Sequence, residues 1–194
     1  MRVLLITAVL LAATPAAALE LSPQAEAQLD RGRPYAVVKP SPDGASGVIR
    51  AAIDIAAPLE VVWAVMTDCD LAPHMVPSLK SCRILERDPQ GRWDVREQVS
   101  RAALVPGVRS VFREDFEPPE RMTFHAMGGD LKVLEGEWRL APHGEGVRVT
   151  YEARVAAPFA VPGWLARLAL RHDVPAALLA LRREAMARAA QAPP

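Results

Sequence analysis

The sequence carries no excess of either charge: 23 Lys and Arg stand against 23 Asp and Glu. That balance leaves no electrostatic footprint for nucleic acid or an anionic surface, and no nucleic-acid partner is expected. Beyond the first residues no apolar run approaches the roughly 20 residues needed to span a bilayer. There is no internal repeat, no GxSxG, no phosphate-cradling glycine loop and no dinucleotide fingerprint. The four histidines, His74, His125, His143 and His172, have no ligand spacing to one another, to a cysteine or to a carboxylate cluster. No metal site and no cofactor is therefore expected. Cysteine is scarce, with Cys69 and Cys82 alone, and no histidine–cysteine pairing of a nucleophilic thiol is visible.

What is present begins with an export signal. Arg2 is a minimal positive segment, Val3 to Ala13 is apolar, and Ala16-Ala17-Ala18 supplies small residues for cleavage. We read residues 1–18 as a signal peptide cut near Ala18, with a periplasmic or secreted product; an uncleaved anchor is the competing reading. The remaining chain, about half of it hydrophobic, is too apolar for a disordered protein and long enough for one domain with a real core. In an exported chain an even cysteine count points to a Cys69–Cys82 disulfide. Two buried thiols are the alternative.

The pattern then divides the chain. Residues 19–46 form an N-terminal extension. Ser22 and Pro23 start a short helix that Gly32 stops, and Tyr35 to Lys39 reads as an extra edge strand. Ile49, Ile53 and Ile55 alternate with polar neighbours as a half-buried strand. Pro58 opens a helix whose Leu59, Val62, Trp63 and Met66 recur at helical spacing, and Pro73 and Pro77 break the next stretch into a short irregular segment. Runs at Ser81–Leu85, Trp93–Val99, Val108–Phe116, Arg121–Ala126, Leu134–Leu140 and Val147–Val155 read as strands of an antiparallel meander. Gly128-Gly129-Asp130 and His143-Gly144 read as turns. Leu165 to Arg171 and Val174 to Ala190 read as helix, with a kink or fresh start near Asp173 and Pro175. Residues 191–194 are expected to be a disordered tail.

Three stretches carry a resemblance: AAPLEVVWAVMTD (Ala56 to Asp68), MVPSLKSCRILE (Met75 to Glu86) and LALRHDVPAALLALRREA (Leu168 to Ala185). Together they resemble the START-related helix-grip (SRPBCC) superfamily, in its polyketide cyclase/dehydrase and coenzyme Q-binding branch, over roughly Gly47 to Ala190. The resemblance implies an α+β helix-grip fold: a curved antiparallel β-sheet wrapped around a long C-terminal α-helix, with two short helices after the first core strand, over residues 47–190. It also implies a ligand cavity between sheet and helix. Members resembling this chain include lipid carriers, quinone-binding proteins and aromatic-polyketide cyclases.

By strand alternation the concave face is expected to carry Trp93, Phe112, Phe116, Phe124, Trp138 and Tyr151, closed by Met75 and by the C-terminal helix with Leu168. Any one of these side chains could be packed core; as a set they are expected to bind ligand because the fold resembled is a ligand-binding one. Glu97 and Glu114 fall on the same face and are the candidates for acid–base chemistry, unless a bulge or strand end puts them in solvent. Phe159, Val161 and Trp164, in PFAVPGW, are candidates for transient membrane contact, or alternatively plug the groove. The expected function is that of an exported, monomeric, non-enzymatic carrier for a hydrophobic small molecule, lipid or quinone. The alternatives are a cyclase/dehydratase-like enzyme using Glu97 or Glu114, and an interaction protein with a filled core.

Overall fold

The computed structural model describes residues 20–41, 46–101, 107–156 and 163–191, the first nine residues of the last segment as backbone only. The expected signal peptide, Phe159, Val161 and the side chains of Trp164 and Leu168 lie outside the described residues.

The chain opens with α1 (Pro23–Leu29), where the Ser22 hydroxyl accepts the Ala25 N–H at 3.2 Å. The cap satisfies one of the four N–H groups a helix start leaves unpaired. Glu26 of this helix pairs with Arg148, which also holds Asp54, so α1 is tied to the outer face of the sheet. The strands follow as β1 (Tyr35–Pro40) and β2 (Ser46–Ile55), then after two helices β3 (Leu79–Arg87), β4 (Trp93–Ser100), β5 (Val108–Glu117), β6 (Arg121–Gly129), β7 (Val133–His143) and β8 (Gly146–Ala156). They form one sheet in the order β1-β2-β8-β7-β6-β5-β4-β3, with every neighbouring pair antiparallel. The extra edge strand expected at Tyr35 is present and pairs with β2. β6 runs on through Gly128 and Gly129, where the glycine pair predicts a turn; the turn comes at Asp130, whose carboxylate accepts the Arg109 N–H at 2.7 Å.

Between β2 and β3 lie α2 (Leu59–Met66) and the single turn α3 (Ala72–Met75), the two short helices that the resemblance implies. The last element is α4 (Gly163–Gln191), one helix of 29 residues. The helix runs through Asp173 and Pro175 without a fresh start, and Gln191, placed in the tail by sequence, is its last residue. Pro175 inside it forfeits one helical hydrogen bond. Burial of the later turns offsets the loss: Leu178, Leu181 and Ala185 pack with Val62 and Val65 of α2 and with Ile53, Ile55, Leu140, Val147 and Val149 of the sheet. At about 1.5–3 kcal/mol per large apolar side chain, this cluster dominates the stability of the grip.

The sulfurs of Cys69 and Cys82 are bonded, joining the turn that follows α2 to β3 with a Cα–Cα distance of 5.5 Å. The bridge closes a short loop, with a sequence separation of 13, and that loop contains α3. Replacing both cysteines by serine is expected to lower the unfolding free energy by about 3 kcal/mol, through greater freedom of the unfolded chain. Urea denaturation of the two proteins checks it: an unchanged midpoint would mean the link adds nothing.

Candidate functional site

The curved sheet and α4 do not close completely. Between them lies a cavity of about 240 Å³. Its walls come from alternate residues of five adjacent strands: Arg96 and Gln98 of β4, Phe112 and Glu114 of β5, Met122 and Phe124 of β6, Leu134 and Trp138 of β7, and Tyr151 of β8. Alternation explains the selection, since residues two apart on a strand share a face. Met66, Ala72, Met75 and Val76 close one side, and Ala177, Leu178 and Leu181 of α4 close the top.

The aromatic rings touch in series. Phe112 meets Phe124 edge-on at 6.4 Å between centroids, Phe124 stacks on Tyr151 at 6.0 Å, and Tyr151 lies 4.2 Å from Trp138. Gly136 is what allows Phe124 its place. A Cβ there would stand 2.8 Å from the Phe124 ring and would collide with the Glu152 carbonyl of β8. Burial pushes the Tyr151 phenol well above its ordinary range, so it stays a neutral group in the wall.

One end of the cavity is polar. Arg96 of β4 donates from Nε and Nη2 to the two oxygens of Asp94, at 2.9 and 3.0 Å, and from Nη2 to the Thr67 carbonyl at the end of α2, at 2.7 Å. The Arg96 and Asp94 side chains are 4% and 1% exposed, so this pair is withdrawn from water. Glu114 faces it across the β4–β5 ladder, where Asp94 and Glu114 are direct partners. Arg96 Nε lies 2.9 Å from Glu114 Oε2. Its single N–H is committed to Asp94, however, and Oε2 is left buried without a hydrogen bond. Burial, opposed by Arg96 and reinforced by the Asp94 charge, pushes the Glu114 carboxyl up to about 7.

The expected residues therefore divide. Met75, Phe112, Phe124, Trp138, Tyr151 and Glu114 border the cavity. Phe116 is on the inner face but one step too far along β5: it packs edge-on against Trp63, 6.0 Å between centroids, and borders a separate cleft. Trp93 and Glu97 are corrections. Both lie on the outer face of β4, because Asp94, Arg96 and Gln98 take the inner one. Trp93 lies under the Arg113 guanidinium at 4.4 Å. Glu97 bridges Arg83 at 2.9 Å and Arg109 at 2.6 Å, and the hydrogen bond from Arg109 holds its carboxyl below the usual range. It is an ionised member of a surface ladder and has no access to the cavity.

Sequence reasoning missed Arg96, Gln98, Met66 and Met122 as wall residues, and Asp94 as the partner that holds Arg96. The available signal was the Asp94-x-Arg96 spacing opposite a second carboxylate on the next strand, which is a self-neutralising set. Among the described residues no three His, Cys, Asp or Glu side chains gather as metal ligands.

A curved sheet gripping a long helix around an apolar cavity, closed on one side by two short helices, defines a START-like helix-grip protein. The chain belongs to the polyketide cyclase / dehydrase and lipid transport family, whose model matches residues 55–182. Comparison with curated proteins returns no match. Solved structures with the same fold include TTHA0849 from Thermus thermophilus, at 24% identity and a TM-score of 0.64 over 73% of this chain and 98% of that one. A STAR-related lipid transfer protein from Xanthomonas axonopodis is 17% identical, with a TM-score of 0.61 over 78% and 98%. The Zhui aromatase/cyclase from Streptomyces sp. R1128 is also 17% identical, with a TM-score of 0.58 over 75% and 94%.

Proposed function

We propose that this chain is an exported carrier that holds a hydrophobic small molecule, a quinone or part of a lipid between sheet and α4. The observation that carries the reading is the cavity itself: aromatic and methionine walls around open space, where a protein needing only stability would have packed side chains. Its volume, about 240 Å³, is just under the range of about 300–1,000 Å³ usual for drug-sized ligands. It suits a compact ring system or one end of a longer molecule. The signal-like N-terminus supports export to the periplasm or beyond, and the apolar PFAVPGW segment supports a transient membrane contact during loading. Monomeric action belongs to the same proposal.

Native mass spectrometry of the mature protein from a bacterial periplasm, with extraction of whatever is bound, tests it. A co-purifying apolar molecule that is lost in Ala177→Phe, a substitution that fills the cavity from α4, is the expected result. A parent protein that carries nothing and binds neither naphthalene nor a short-chain fatty alcohol would sink the reading.

A second reading, a cyclase or dehydratase-like enzyme, has Glu114 in its favour, since a carboxyl pushed up to about 7 is poised for proton transfer near neutral pH. Ligand turnover by the parent that disappears in Glu114→Gln, with binding retained, would select the enzyme.

A further inference from the structure

We infer that Glu114 reads the polar end of the ligand as a hydrogen-bond donor, so that the cavity selects apolar molecules bearing one neutral acceptor, a ketone, quinone or ester carbonyl, over the same skeleton without it. The inference rests on the carrier reading above and names the chemistry of its ligand.

Three observations lead to it. Oε2 of Glu114 is buried without a hydrogen bond, the Arg96 Nε–H 2.9 Å away being committed to Asp94, and the residue is only 6% exposed and borders the cavity. A buried polar group without a partner is rare in a finished fold and marks a place where a partner is brought from outside. The buried charges nearby are already matched: Asp94 takes both of its hydrogen bonds from Arg96, while Arg87, 3.9 Å from the same carboxylate, is largely in solvent and screened. An ionised Glu114 would add a second negative charge to one buried guanidinium in an apolar enclosure, whereas a neutral Glu114 leaves the set balanced. A neutral carboxyl carries one O–H that needs an acceptor, and the walls are mostly apolar: Arg96 there can only donate, Gln98 reaches toward Cys82, and neither Gln98 nor Tyr151 is hydrogen-bonded to Glu114. A ligand carbonyl is the group that completes the site.

The proton linkage has few contributors. From β4 the charged groups facing Glu114 are Asp94 and Arg96, with Arg87 of β3 behind them. Among the described residues, α3 and α4 give the cavity only apolar side chains, and Tyr151, across the cavity, stays neutral. An acceptor ligand binds the protonated form, so its affinity falls as Glu114 loses its proton. With the carboxyl at about 7, the fall between about pH 6 and about pH 8 is about tenfold.

The test uses 2-acetylnaphthalene, 2-ethylnaphthalene and 1-(2-naphthyl)ethylamine as probes, titrated calorimetrically into the mature protein at both pH values. The ketone is expected to bind about tenfold tighter than the hydrocarbon at the lower pH, as one well-made buried hydrogen bond allows. That preference shrinks about tenfold at the higher pH. Glu114→Gln keeps a neutral donor, so it is expected to retain the ketone preference and lose the pH dependence. Glu114→Leu is expected to bind ketone and hydrocarbon alike. Equal binding of the two by the parent, a ketone preference that persists in Glu114→Leu, or a preference for the amine overturns the inference while leaving the carrier reading in place. Binding of none of the three overturns both.

Discussion

Arg96→Met is expected to lower the unfolding free energy by about 3–5 kcal/mol at neutral pH, the usual cost of removing one partner from a buried ion pair. The cost arises from the groups left behind. Asp94, whose side chain is 1% exposed, loses both of its hydrogen bonds, and the Thr67 carbonyl loses its donor. Two carboxyl groups, Asp94 and Glu114, are then left facing each other across the β4–β5 ladder with no guanidinium between them. Methionine fills much of the arginine stem's volume, so the loss is electrostatic rather than a cavity. The effect should shrink when Asp94→Asn and Glu114→Gln are added, since the triple variant carries no uncompensated charge. Urea denaturation of the variants at pH 7 measures both. A loss below about 1 kcal/mol at pH 7 would mean that water reaches the cluster and that the polar end of the cavity is not the dry site described.

Why that cluster escapes a reading of the sequence is instructive. Along β8 the residues facing inward, Val147, Val149, Tyr151 and Ala153, are the apolar ones, and alternation identifies the inner face directly. The same holds for Met122 and Phe124 of β6 and for Leu134, Trp138 and Leu140 of β7. On β4 the rule inverts. Trp93 and Val95 point outward, and the inner face carries Asp94, Arg96 and Gln98. A strand has period two, so an error in choosing its face moves every side chain at once. Hydrophobicity alone cannot choose when the inner polar residues satisfy one another. Glu114 is legible because its strand also carries Phe112, a strong inward marker, whereas Glu97 shares a parity with the misleading Trp93. Two further features obey rules that do not involve hydrophobic faces. The Cys69–Cys82 link follows from the even cysteine count and the expectation of export, without any geometry. The continuity of α4 through Pro175 does not follow, because local propensity opposes it and only the packing of Leu178, Leu181 and Ala185 against the sheet decides it.

Glu114→Gln is expected to change the pH dependence of stability more than any other single substitution in the cavity. The Glu114 carboxyl is raised from an ordinary value of 4.5 to about 7 by its burial. Between those values the folded protein holds a proton that the unfolded chain has released, so the parent loses stability as pH rises through this window. The slope is about 1.4 kcal/mol per pH unit and the total about 3 kcal/mol. Below about pH 4.5 both states are protonated and the contribution is intact; above about pH 7 it is gone. Glutamine is neutral throughout and has no such slope. Whatever constant offset the amide introduces beside Arg96, the stability difference between variant and parent should therefore move in favour of glutamine by about 3 kcal/mol from about pH 4 to about pH 8. The same comparison made with Glu97→Gln should run the other way and be small, because Glu97 is held below its usual range by Arg109 at a solvent-accessible site. A flat difference for Glu114→Gln would mean that the carboxyl is ionised and solvated in the folded protein. The polar end of the cavity would then present a charge, and the ligand it accepts would have to carry a donor or a cation instead of a carbonyl.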